Sequence, residues 1–337
     1  MTPMQPFHFM TDREKDELYG VLETVETRPY DDYHAFSAAV RRATEGNVPE
    51  SLVRAAERIR RDREEGVSDT HVLRNCPVDK ELPELGHDDP QADKYARKRT
   101  FVGEGFLELV AQLTRTPVMA YATRFNGDFF TDVYSISRYH GKQTGYSDGE
   151  LVYHNDRTAH PVRADYISLL GMRCPVEEYT CTSLVEARTL RAGLPEDALR
   201  ILGEAHFVTP FDVVSRDNNS SLTLSEKHAI FQGDYGIRYL DTHTTVAPDA
   251  PGEAKDALIE LKNALTRAEK KRHRILEGDL LIFANQNGLH SRELIEVNDP
   301  ERSRSRWLLK TYTLRSQAVA DGFADRWVDG VAGRVGD

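Results

Sequence analysis

The chain has 337 residues, enough to bury a sizeable core, and carries 55 acidic against 44 basic side chains for a formal net charge of −11. With no long basic tract, that balance argues against a nucleic-acid partner and suits a small cationic or zwitterionic substrate. Three cysteines without a CxxC pair argue against a disulfide framework or thiolate zinc site, and no signal-like N-terminus or run of ~18 apolar residues occurs, so we expect a cytoplasmic protein with no membrane partner.

In chain order, Thr11 followed by Glu14 has capping-box spacing and predicts a first helix. Helical periodicity recurs over Ser51 to Gly66 and over Lys94 to Arg115, the latter expected to break near Gly103 or Gly105. The polar, proline-bearing stretch between them reads as a long loop, so residues 1–115 form a mainly helical N-terminal part.

From Thr116 the texture changes to short β-prone runs, "YISLLGM", "YTCTSL", "GDLLIFAN" and "RWLLKTYTL". A helical insert at about 252–275 interrupts them, within a β-core spanning about 116–316. Without repeats, low-complexity tracts or a linker-like segment, residues 1–337 read as a single α+β domain.

"VYHNDRTAH" places His154 and Asp156 two residues apart at the start of this core. On a strand, alternate residues share a face, so the pair is a two-point chelate, although the pattern alone is common. His290, in "GDLLIFANQNGLHSR", supplies a third candidate ligand 136 residues downstream. Two histidines and one carboxylate suit a non-haem Fe(II) centre, and the lack of soft ligands disfavours copper and iron–sulfur chemistry. Arg306, opening "RWLLKTY", is placed to grip a carboxylate bidentately.

Together these segments, from about Val152 to Leu314, resemble the clavaminate synthase-like, TauD/TfdA-related branch of the Fe(II)/2-oxoglutarate-dependent oxygenases, which includes hydroxylases of free basic amino acids. The resemblance implies a distorted double-stranded β-helix, or jelly roll, with N-terminal and inserted helices. It implies that His154, Asp156 and His290 hold Fe(II), that Arg306 binds the distal carboxylate of 2-oxoglutarate, and that Thr182 assists it. Asp156 stands where this branch often has Glu, which still supplies a carboxylate and speaks against a halogenase. Arg304 competes with Arg306 for the clamp, because the segment between His290 and Arg306 is slightly long.

Arg292 either shares a face with His290 and approaches the substrate or cosubstrate carboxylate, or makes a structural ion pair. Asp241 either meets a cationic substrate side chain, as the corresponding family segment does, or caps a turn. His160 reads as a bystander, Arg163 and Asp165 as an ion pair closing a strand end, the clustered aromatics of "FNGDFFTDVYSISRYHGKQTGYSDGE" as core or else as the lining of a substrate pocket, and "TRAEKKRHR" as a solvated helix end. The resulting expectation is hydroxylation of an unactivated C–H bond of a free lysine- or arginine-like amino acid, using Fe(II), 2-oxoglutarate and O2. The alternatives are the same chemistry on a carrier-bound or peptide amino acid, desaturation or cyclisation in natural-product biosynthesis, and a jelly-roll binding protein without catalysis.

Overall fold

The computed structural model describes residues 2–336. Its N-terminal part is helical: α1 (Asp12–Glu23), α2 (Tyr33–Thr44), α3 (Glu50–Glu64), α4 (Pro90–Arg97) and α5 (Val102–Thr114). The capping box of α1 forms as its spacing predicts, with Thr11 Oγ1 accepting from the Glu14 N–H and Glu14 accepting from the Thr11 N–H.

The predicted break between α4 and α5 falls earlier than the glycines, at Lys98–Phe101. Asp79 causes this by accepting the N–H groups of Val102 and Gly103, which caps α5 from outside the helix. Gly103 lies inside α5, where an added Cβ would stand 2.8 Å from Met172 Cε. The long loop also contains a short strand, β1 (His71–Arg74).

The β-prone runs form strands β2 (Val118–Tyr121), β3 (Phe130–Val133), β4 (Leu151–His154), β5 (Tyr166–Arg173) and β6 (Tyr179–Glu186). After the helices α6 (Val213–Asn218) and α7 (Glu253–Arg267) follow β7 (Lys271–His273), β8 (Leu280–Ala284), β9 (Gly288–Glu296) and β10 (Trp307–Thr313). The inserted helix is therefore shorter than its predicted 252–275. Its basic end peels off as β7, which pairs with β6 from Lys271↔Leu184 to His273↔Thr182.

Two sheets result, one running β2–β10–β5–β8–β1 with β3 also on β10, the other β7–β6–β9–β4. Their neighbours are antiparallel, and nearly all pairings join strands far apart in the chain, the topology expected of a jelly roll. Alternation sorts the side chains of the larger sheet. Leu170, Ile282 and Leu309 face the helices and join a core with Leu18, Phe36, Leu52 and Phe106. Ile167, Leu169, Leu281, Phe283 and Leu308 face the other sheet and join Leu184. Among the described residues no helix is long and apolar enough to cross a membrane.

Candidate metal centre and its cavity

The site lies between the two sheets, where β4 and β9 run side by side with His154 directly opposite His290. The register slips between His290 and Arg292, giving β4 one extra residue and bending it just before it ends at His154. Bulges of this kind re-aim side chains beside active sites. Asp156 follows two residues later, and Arg157 turns the chain with a left-handed φ of 58°.

The imidazoles of His154 and His290 stand 4.2 Å apart between centroids. Asp156 Oδ1 lies 3.3 Å from His154 Nε2 and 3.5 Å from His290 Nε2. One donor atom from each of the three residues falls within 4.8 Å of the others, and no other such group occurs among the described residues.

Hydrogen bonds preset this donor set. His154 Nδ1 pairs with the Val152 carbonyl at 2.7 Å; the carbonyl can only accept, so Nδ1 carries the proton and Nε2 presents its lone pair. Burial, and then the neighbouring His154, push His290 down to about 4, which keeps it neutral. Burial alone would raise Asp156, but the Lys310 ammonium, with the two imidazoles beside it, holds it well below the usual carboxylate range. Its second oxygen accepts from Lys310 Nζ at 2.9 Å and from the Tyr312 hydroxyl at 2.8 Å, leaving Oδ1 toward the histidines.

The backbone between these ligands is equally constrained. Asn155 is 1% exposed; its amide donates to the carbonyls of Asn285 and Gly288, and its oxygen accepts from the Tyr239 N–H. Asn285, fully buried, accepts the Asp156 N–H at 2.8 Å and donates to the Asp156 and Ala164 carbonyls. Gly288 lets β9 start against β6, since a Cβ there would lie 2.8 Å from the Val185 carbonyl.

A cavity opens over the three residues, walled by Val133, Ile167, Leu169 and Leu308 and by a set of polar groups. Arg306, Leu308, Lys310 and Tyr312, every second residue of "RWLLKTY", all line it. Thr182 of β6 also faces the cavity. Arg306 makes no ion pair among the described residues, and burial lowers its pKa.

Arg304 goes elsewhere, pairing with Asp148 at 3.1 Å outside this cavity. Arg292 lines the cavity, but its guanidinium donates to the carbonyls of Gly149 (2.8 Å), Ser147 (2.7 Å) and Gly145 (3.3 Å), making it a brace for the wall loop rather than half of an ion pair. The Asp241 carboxylate accepts from the Tyr239 hydroxyl and the Thr242 N–H, the turn-capping arrangement, and only its neighbour Leu240 is part of the wall. His160 lines the cavity with its ring nitrogens on the Val162 and Gly336 carbonyls, outside the ligand group. The Arg163–Asp165 pair does not form; Arg163 donates to Gln232, and Asp165 accepts from Arg315 and Gln286. Of the clustered aromatics near Phe125, only Tyr146 reaches the cavity.

Lys310, Tyr312, Asn285, Arg124 and Asp212 were not singled out from the sequence, yet all lie at the site. For Lys310 and Tyr312 the signal was present, since they continue the alternation that starts at Arg306. Arg124 and Asp212 come from loops with no periodicity to read.

The family described as taurine catabolism dioxygenase TauD, TfdA matches residues 82–312, more than half of the chain and every residue that lines the cavity. An enduracididine beta-hydroxylase from Streptomyces hygroscopicus is 26% identical over 229 residues, which cover 59% of this chain and 63% of that protein's own length. Among solved structures, an asparagine oxygenase in complex with Fe(II), 2S,3S-3-hydroxyasparagine and succinate superimposes with a TM-score of 0.80 at 22% identity, covering 98% of this chain and 99% of that one. The non-heme iron oxygenase OrfP in complex with Fe, succinate and (3R,4R)-dihydroxy-L-Arg gives 0.78 at 18% identity over 98% of this chain and 100% of that one. At such identities the structural likeness establishes the fold, a jelly roll with added helices.

Proposed function

From the premise that this chain belongs to the TauD, TfdA dioxygenase family, we propose that residues 1–337 form one Fe(II)- and 2-oxoglutarate-dependent oxygenase domain. It hydroxylates an unactivated C–H bond of a free L-amino acid and releases succinate and CO2. The observation that carries this reading is the His154–Asp156–His290 group at the cavity floor, whose donor atoms converge within 4.8 Å.

The residues present fit the metal. The donors are two imidazoles and one carboxylate on one side, with no thiolate, the set that suits non-haem Fe(II) with positions left open. His154 has its tautomer fixed by the Val152 carbonyl, and Asp156 has one oxygen engaged by Lys310 and Tyr312, so each would offer a single defined ligand atom. Bound there with 2-oxoglutarate, Fe(II) supplies the O2-dependent oxidation of a C–H bond that no side chain can perform.

The protein's own part is to bind, orient and exclude water. Arg306 is a cavity-facing cation with no carboxylate partner among the described residues, and with the Thr182 hydroxyl it would take the distal carboxylate of 2-oxoglutarate. Val133, Ile167, Leu169 and Leu308 make the surrounding wall apolar. Arg292 keeps the 145–149 loop in place as a further wall.

A basic amino acid is favoured as substrate by the relative named for enduracididine β-hydroxylation, by the hydroxylated L-arginines solved in OrfP, and by the acidic net charge. Asp241, with its carboxylate capping its own turn, lends no present support to that preference.

The test is anaerobic reconstitution with Fe(II), followed by 2-oxoglutarate, O2 and each free amino acid in turn. We expect stoichiometric Fe(II) binding, substrate-stimulated succinate and a one-oxygen mass gain in one amino acid. Absence of both iron binding and stimulated succinate would overturn the enzyme reading and leave a jelly-roll binding protein.

A further inference from the structure

The cavity has two cationic ends. Arg306, just before β10, and Tyr312, within it, both line the cavity six residues apart, a separation of roughly 20 Å at ~3.3 Å per residue. Arg124 belongs to the Tyr312 end: its N–H donates to the Tyr121 carbonyl at 2.9 Å, and the Tyr121 ring packs edge-on against Tyr312 at 5.3 Å. Arg124 is 8% exposed and lines the cavity.

Among the described residues, all of Arg124's side-chain hydrogen bonds run through one nitrogen. Its Nη2 donates to both oxygens of Asp212 and to Ser215 Oγ at 3.1 Å, while its buried Nε–H has no acceptor among the described residues. Asp212, in contrast, has its acceptor capacity filled. Besides Arg124 it accepts from the Val214 N–H (3.0 Å), the Ser215 N–H (3.1 Å) and the Ser215 hydroxyl (2.9 Å), capping α6. Among the described residues the only other carboxylate in the wall is Asp156, already engaged by Lys310 and Tyr312 and facing the two histidines. Among the described residues this end of the wall therefore retains a spare charged donor and no spare acceptor, and the complement of a half-used guanidinium is a carboxylate.

We propose that Arg124, held by Asp212, receives the α-carboxylate of the amino acid substrate. The substrate is then a free amino acid, because one joined through its carboxyl to a carrier or a peptide presents a neutral carbonyl in that position. Arg306 serves the cosubstrate at one end and Arg124 the substrate at the other, with the metal ligands between. This inference rests on the function proposed above.

The experiment titrates the Fe(II)- and 2-oxoglutarate-loaded protein, without O2, with the twenty proteinogenic L-amino acids, each as free acid and as α-amide. Dissociation constants come from the change each causes in the Fe(II)–2-oxoglutarate charge-transfer absorption. We expect every amino acid that binds to do so about 10- to 100-fold more tightly as the acid than as the amide, the scale of a lost charge-assisted hydrogen bond. Arg124→Gln should bring that ratio close to one, and Arg124→Lys should restore part of it. Equal affinity for acid and amide in the unmodified protein, a comparison that needs no variant, overturns the proposal, as does an unchanged ratio in Arg124→Gln. Charge-transfer absorption that no amino acid perturbs in either form overturns it while the iron site stands. If the absorption fails to develop on adding 2-oxoglutarate, the iron-site reading fails first and takes this one with it.

Discussion

Arg304 and Arg306 are two residues apart, but Arg304 ends a short helix (Pro300–Arg304) while Arg306 directly precedes β10, and the change of backbone between them separates their duties. Arg306 opens the cavity-facing row of β10, while Arg304 pairs with Asp148 on a partly exposed surface. We therefore expect Arg306→Ala to raise the 2-oxoglutarate concentration needed for half-maximal succinate formation by about 10- to 100-fold. Arg304→Ala should leave it within about twofold, because a surface ion pair contributes about 0–1 kcal/mol. Reversal of that order would reassign the clamp. Asn285 provides a second test at this scale. Its side chain satisfies the Asp156 N–H and two buried carbonyls, so Asn285→Ala leaves them without partners at a cost of about 1–3 kcal/mol. By loosening a ligand it should also weaken Fe(II) binding about 10- to 100-fold. Anaerobic Fe(II) titration checks this, and affinity equal to the parent protein's would remove Asn285 from the bracing of Asp156.

The elements differ in how much of them could be read from the sequence. The α1 capping box, the helical period of α3 and the apolar runs of β5, β8 and β10 are local signals, and each gave an element where it was expected. Pairing is not local: His290 meets His154 only because β9 lies beside β4, and period alone does not specify which strands neighbour. The inserted helix was read as too long because a basic run continues its composition while Lys271–His273 is drawn into the sheet beside β6. The α4–α5 break was misplaced because its cause is a tertiary charge cluster. Lys98, 1% exposed, donates to Asp79 (2.9 Å), Glu104 (2.7 Å) and the Thr100 carbonyl (2.7 Å), and Asp79 in turn caps α5. Lys98→Met would leave two buried carboxylates without their cation, so we expect a loss of about 3–5 kcal/mol, read as a lower urea midpoint. A loss below about 1 kcal/mol would show that the Lys98 cation is not what compensates these two carboxylates.

Over the whole molecule, two buried histidines outside the proposed metal-ligand group set a pH limit on the fold. His71 of β1 lies against Phe7 and pairs with Asp62 of α3 at 3.2 Å, while His228 bonds Thr209 Oγ1 at 3.0 Å in the segment beyond the cavity wall. Burial is the main cause that pushes both down to about 4, with nearby arginines adding to it. Unfolded, each returns to about 6.5. Above that value both states are neutral and the histidines contribute no pH dependence. As pH falls from about 6.5 toward 4, the unfolded chain takes up a proton at each histidine that the native fold refuses, so stability falls by up to about 1.4 kcal/mol per pH unit per histidine. Below about 4 the native state is protonated as well, and this contribution levels off. Carboxylates also titrate at the acid end, so the contribution is isolated by difference: urea midpoints at several pH values between 7.5 and 4.5 for the parent chain and for His71→Gln with His228→Gln. The double variant should be less stable at pH 7.5, because it loses well-packed rings, and it should show a shallower decline between pH 6.5 and 4.5. Parallel declines would mean that these histidines are as readily protonated in the folded state as in the unfolded one.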